Sequence, residues 1–130
     1  MVSLSIIVLV CGMLCGCTEP TDNGVVISEY FELVSHSLDS TGASPTIHLE
    51  VRGEIKNIAG EDIDEVTIKV VYKDAANETL EISPYSLYDF VANLTYNFVG
   101  DFITDDAGFA AFDHYEIFIE FENKNYLLYY

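Results

Sequence analysis

Polar and apolar residues alternate most strictly between Thr46 and Asn57, where Ile47, Leu49, Val51, Gly53 and Ile55 interleave with His48, Glu50, Arg52, Glu54 and Lys56. A period of two is that of a β-strand with one face in a core and the other in water. Gly53 falls on the apolar face, where a missing side chain marks a bulge or the close approach of another segment. Beyond a loop at Ala59–Asp62, a second run from Asp64 to Lys73 puts Val66, Ile68, Val70 and Tyr72 on one face. Two such runs joined by a turn make a hairpin or a corner where the chain changes sheets. Asp74–Glu78 reads as a turn, Thr79–Ile82 as a short strand, and Pro84 as a bulge or a sheet edge. Tyr96 and Phe98 mark a further strand, and Tyr115, Ile117, Ile119 and Phe121 against Glu116, Glu120 and Glu122 mark another. A less regular first strand is expected at Val25–Val34, and Tyr126–Tyr130 is expected to fold back as an edge strand. No segment shows strong helical periodicity or internal repetition, so the pattern predicts an all-β fold, a small antiparallel sandwich of about seven strands.

Composition changes this picture at the N-terminus. The chain has 130 residues and a formal net charge of −17, yet Met1–Gly16 carries no charged side chain. Val2–Leu14 has the length of a signal-peptide apolar region and is too short for a comfortable membrane span. Thr18–Gly24 is polar with Pro and Gly, the composition of a short tether. The expected organisation is therefore a signal segment at 1–16, a tether at 17–24 and a sandwich domain at 25–130. All three cysteines, Cys11, Cys15 and Cys17, precede the domain, which leaves it no disulfide framework. Leu, Ile, Val and Phe make up about a third of the chain, enough for a folded core. Phosphate recognition needs clustered cations, and 5 Lys+Arg against 22 Asp+Glu exclude a nucleic-acid partner on electrostatic grounds.

Leu14-Cys15-Gly16-Cys17 resembles the lipobox of secreted lipoproteins, in which Leu and two small residues precede the cysteine that is lipidated. That resemblance implies lipidation of Cys17 and export to the outer face of the cell membrane. The alternatives are an uncleaved anchor helix or a buried first strand with cysteines packed as small hydrophobes. The block Val51-Arg52-Gly53-Glu54-Ile55-Lys56-Asn57, followed by Ile63 to Asp74, resembles the FxLYD family of extracytoplasmic domains, with its G-x-x-x-N strand and its V-x-V-x-V-x-x-x-D strand. The resemblance covers roughly Thr46–Glu122. It implies an immunoglobulin-like sandwich, common in archaeal and bacterial lipoproteins, and carries no catalytic residues.

Candidate chemistry is sparse. Asn77-Glu78-Thr79 and Asn93-Leu94-Thr95 are N-x-S/T sequons, the first in an expected turn and the second at the start of an expected strand. They are either glycosylation sites at Asn77 and Asn93 or two surface asparagines. Acidic residues gather at Glu61, Asp62, Asp64 and Glu65 and again at Asp101, Asp105 and Asp106, the second group a candidate Ca²⁺ site or a solvated face. His36, His48 and His114 have no metal-binding spacing, and His48 reads as a surface residue. No nucleophile elbow or Gly-rich phosphate loop occurs, so the expectation is a non-catalytic domain for binding or assembly. Of the 17 Phe and Tyr, 14 lie from Tyr85 onward among many acids. This is the alternative reading, a surface module for glycans or Ca²⁺. Phe118 points with Glu116 and Glu120 toward the wet face, so either Phe109–Phe112 covers it or it marks an interface. The expected partners are accordingly the membrane, through the lipid, and a cell-surface protein or glycan.

Overall fold

The computed structural model describes residues 29–130, all within one β-sandwich. The signal segment, Cys17 and the tether lie outside these residues. The strands are β1 (Phe31–Ala43), β2 (Thr46–Asn57), β3 (Ile63–Asp74), β4 (Thr79–Phe90), β5 (Thr95–Thr104), β6 (Phe112–Phe121) and β7 (Lys124–Tyr129), with one short helix, α1 (Asp106–Ala111), between β5 and β6. They form two antiparallel sheets, one of order β1-β2-β5 and one of order β4-β3-β6-β7. The fold is the small, seven-stranded, immunoglobulin-like sandwich that the alternation implies.

The inward faces of the two central strands supply the core. Leu49, Val51 and Ile55 of β2 and Val66, Ile68, Val70 and Tyr72 of β3 are fully buried, joined by Phe31, Phe90, Phe98, Ile117 and Ile119. The Phe31 and Phe90 rings lie parallel, 6.1 Å apart, and tie the first strand to the last residue of β4. The Tyr72 hydroxyl donates to the Gly100 carbonyl over 2.7 Å. That bond gives the one polar atom of a buried ring a partner in the opposite sheet. Burial accordingly pushes the phenol's pKa upward.

Several expectations are corrected. Among the described residues the first strand is Phe31–Ala43, which runs nine residues past the expected end at Val34. β1 is an edge strand, and most of its length faces water, so its polar second half, Ser35–Ala43, carries little alternation. A bulge between Leu33 and Ser35 also shifts its register and breaks the period that the sequence would otherwise display. β4 runs on to Phe90 instead of stopping at Ile82. It too is an edge, where Pro84 lacks an N–H without leaving a ladder bond unmade. Of the two expectations for Gly53 the close approach holds, since the Phe98 ring packs where its side chain would be, while the β1 bulge lies one step along, opposite Ile55 and Glu54.

Asn57, at the end of β2, is the buried polar residue that fixes the corner between the sheets. Its amide nitrogen donates to the carbonyls of Glu61 (2.9 Å) and Phe90 (2.8 Å), and its amide oxygen accepts from Ala59 N–H at 2.9 Å. Its backbone N–H donates to Leu94 and its carbonyl accepts from Asn93. One side chain thus joins the β2–β3 loop to the end of β4, while the same residue's backbone holds the start of β5.

The edges of the two sheets are closed differently on the two sides. Between β4 and β5, Asp101 N–H donates to the Ser83 hydroxyl over 2.9 Å. Between β1 and the β6-β7 pair, His36 lies with its Nδ1 2.7 Å from the Tyr115 hydroxyl and its ring 4.1 Å from that of Tyr129. Burial lowers the pKa of His36 from its ordinary 6.5 and raises that of Tyr115, so the neutral imidazole accepts from the phenol. A folded pKa below the unfolded one means that the unfolded chain takes up the proton first. Stability from this contact is therefore complete above pH 6.5 and is lost as pH falls below it. Thermal melts of the wild type and His36→Asn should converge as pH is lowered from 7.5 to 5. A constant gap between the two curves over that range would refute the coupling.

Candidate functional site

Strand register brings together a group of residues that chain spacing hides. On the outer face of the three-stranded sheet, β2 presents His48, Glu50 and Arg52, because residues two apart share a face. The β1 and β5 partners of Glu50 are Asp39 and Asp101, so three carboxylates form one row across three strands. The Asp101 N–H points away from β2 to Ser83, which makes Glu50 and Asp101 a non-hydrogen-bonded cross-strand pair, the kind whose side chains approach most closely. Like charges so placed repel. Each has a cationic or polar neighbour: His48 Nε2 is 2.9 Å from Asp101 Oδ1, and Arg52 Nε is 2.8 Å from Glu50 Oε1. One ligand atom from each of His48, Glu50 and Asp101 lies within 4.8 Å of the others.

The acidic residues singled out from sequence are not gathered into one site. Asp101 belongs to the row just described, on β5. Asp105 caps α1, accepting from Gly108 N–H at 2.9 Å, and Asp106 accepts from the Ser44 hydroxyl at 2.5 Å. These two aspartates are thus occupied in ordering the helix and the β1–β2 turn. Glu61, Asp62, Asp64 and Glu65 line a shallow depression of about 400 Å³ with Phe121 and Glu122, at the end of the sandwich where β1 begins.

Both sequon asparagines sit exposed in turns with left-handed backbone, Asn77 at φ 66° and Asn93 at φ 67°. The Asn77 amide oxygen is 3.2 Å from His114 Nε2, which leaves its amide nitrogen, the atom a glycan would occupy, directed away from that contact. The two turns lie at opposite ends of the sandwich, Asn77 in the β3–β4 turn and Asn93 beside Asn57, near the start of β1.

Phe118 is half-buried on the outer face of the four-stranded sheet, in register with Lys69 on β3 and Leu127 on β7. The 109–112 segment does not lie over it: α1 lies against β2 and β5, and Phe112 packs against Tyr72 in the core. Many of the late aromatics are likewise used internally. Phe90, Phe98 and Phe102 are buried, and Tyr85, Tyr96, Tyr115, Tyr126 and Tyr129 pack against the core, whereas Tyr88, Phe109 and Tyr130 are exposed. Tyr96 acts at a corner: its hydroxyl donates to the Asp89 carbonyl at 3.0 Å and accepts from Val91 N–H.

No family model matches the chain, and no curated protein matches it. Among solved structures the sandwich is similar to part of a Bacteroides fragilis chain described as a beta-galactosidase, with a TM-score of 0.53 and 12% sequence identity. The match covers 69% of this chain but 14% of that one. At that identity the likeness speaks to the β-sandwich fold alone.

Proposed function

We propose that the protein is a membrane-tethered extracytoplasmic lipoprotein whose sandwich serves binding or assembly rather than catalysis. The observation that carries this reading is the Leu14-Cys15-Gly16-Cys17 sequence, set between an uncharged apolar segment and a polar tether. The domain suits a tethered position. It is strongly acidic, and the end at which β1 begins carries Glu61, Asp62, Asp64, Glu65 and Glu122. Negative charge there repels anionic lipid headgroups and holds the domain off the surface to which Cys17 ties it. One acyl chain anchors a protein only marginally, so the lipid on Cys17 acts with a second chain or a membrane partner. The G-x-x-x-N pattern that resembles the FxLYD family ends on Asn57, whose buried amide joins the β2–β3 loop to the end of β4.

The test is the intact mass of native protein extracted from membranes. The expected mass is that of residues 17–130 plus lipid, with Cys17→Ser leaving the chain unprocessed and unlipidated. A full-length, unmodified mass for the wild type would overturn the reading. Added hexose mass removed by Asn77→Gln or Asn93→Gln would assign glycosylation to those turns.

A further inference from the structure

We infer that His48, Glu50 and Asp101 form a binding site for a divalent first-row transition-metal ion of the zinc type on the outer face of the β1-β2-β5 sheet. Three observations converge on it. One imidazole nitrogen and two carboxylates lie within 4.8 Å of one another. Tetrahedral zinc with bonds of about 2.0–2.2 Å needs ligand atoms roughly 3.3–3.5 Å apart, a closure that rotation of partly exposed side chains supplies. The ligands stand on the two paired strands β2 and β5, whose ladder fixes their backbone spacing, so the site is held by sheet rather than by loop. Finally, the row Asp39–Glu50–Asp101 sets carboxylates side by side on neighbouring strands, and an added cation relieves their repulsion.

The donor set selects the class of ion. Imidazole with carboxylate suits zinc, copper and nickel, whereas calcium and magnesium prefer oxygen ligands in larger number. In the metal-free protein His48 Nε2–H is the donor to Asp101 Oδ1 over 2.9 Å. The ion takes the place of that proton: the imidazole turns to its Nδ1–H tautomer and Nε2 gives its lone pair to the metal. Arg52 does not exclude the ion, since it holds Glu50 Oε1 and a carboxylate has a second oxygen to offer. Water fills the remaining position.

This inference is independent of the lipid anchor and is tested on the full chain in detergent. Calorimetric titration with Zn²⁺ at pH 7.5 should show one equivalent bound and a raised Tm, with Mg²⁺ and Ca²⁺ at matched ionic strength giving neither. His48→Gln and Asp101→Asn should each weaken Zn²⁺ binding about tenfold or more, while Asp105→Asn, equal in charge to the second, leaves it unchanged. Both ligand residues are partly exposed, so circular dichroism is expected to show wild-type folding for the variants. NMR titration should move the His48 ring resonances in the wild type ahead of those of His114. Binding that is unaltered in His48→Gln, or that Asp105→Asn weakens as much as Asp101→Asn, would overturn the site in favour of diffuse attraction to an acidic surface. So would the lack of a stoichiometric equivalent.

Discussion

Asn57→Asp is expected to cost about 3–5 kcal/mol of stability or to leave the chain unfolded, the range for an unpaired charge buried in place of a neutral group. The substitution hardly changes shape, so its effect isolates chemistry from packing. Asn57 is 0% exposed, and its amide nitrogen serves two carbonyls, those of Glu61 and Phe90. An aspartate offers no proton to either in its charged form and sets an anion against two acceptors. Each carbonyl left unpaired and buried costs about 1–3 kcal/mol. The carboxyl can escape part of this by staying protonated, which raises its folded pKa above the unfolded value of about 3.9. The sign follows: the variant loses least below that value and most once pH has risen through the folded pKa. Urea unfolding at pH 7.5 and at pH 4.5 measures both parts. A loss below about 1 kcal/mol at pH 7.5 would show that the corner does not depend on the amide.

The legible parts of the fold were those with one face buried along their whole length. β2, β3 and β6 lie inside their sheets, and over Ile47–Ile55, Val66–Tyr72 and Tyr115–Phe121 every second residue is apolar or glycine and faces the core. The edges were harder to read for physical reasons. β1 has water on its outer face and over much of its second half, so selection for apolar residues is relaxed at Ser40 and Gly42, whose partners on β2 are the inward Leu49 and Ile47. β4 places Ser83 opposite Val70, where the hydroxyl bonds to Asp101 rather than filling the core. Glu81 stands opposite Tyr72 in the same row, and Ile82 is exposed on the other face, so the alternation that would have revealed the strand is broken.

The site was less legible than the fold. His48 and Asp101 are 53 positions apart in the chain, and their meeting depends on the register of β2 against β5, which no local pattern states. Asp101, Asp105 and Asp106 look like one group along the chain because they are close in number. A strand and a helix cap divide them in space. Asn57 stood in view as the last residue of a motif, but its function required knowing that three segments end beside it. The signal for such a residue is an Asn at the end of an alternating strand, on the side that the period assigns to the core.

Gly53→Ala should destabilise the domain by about 1–3 kcal/mol, the usual range for overpacking, although the same exchange inside an ordinary strand stabilises by about 0.5–1 kcal/mol. The reversal comes from occupied space. A methyl group at position 53 would collide with the Phe98 ring and lie 2.7 Å from the Ser35 carbonyl oxygen. The ring can shift, but the carbonyl belongs to the stretch of β1 beside its bulge and is held by pairing with β2. Combining the change with Phe98→Leu separates the two obstacles, because residues in contact couple. The pair should cost less than the sum of the single changes, and the loss that survives measures the carbonyl. A stabilised Gly53→Ala protein would mean that β1 and Phe98 do not close over β2. Zn²⁺ affinity is a built-in control: side chains at 48, 50 and 52 face outward while 53 faces the core, so the variant should lose stability yet bind zinc as the wild type does.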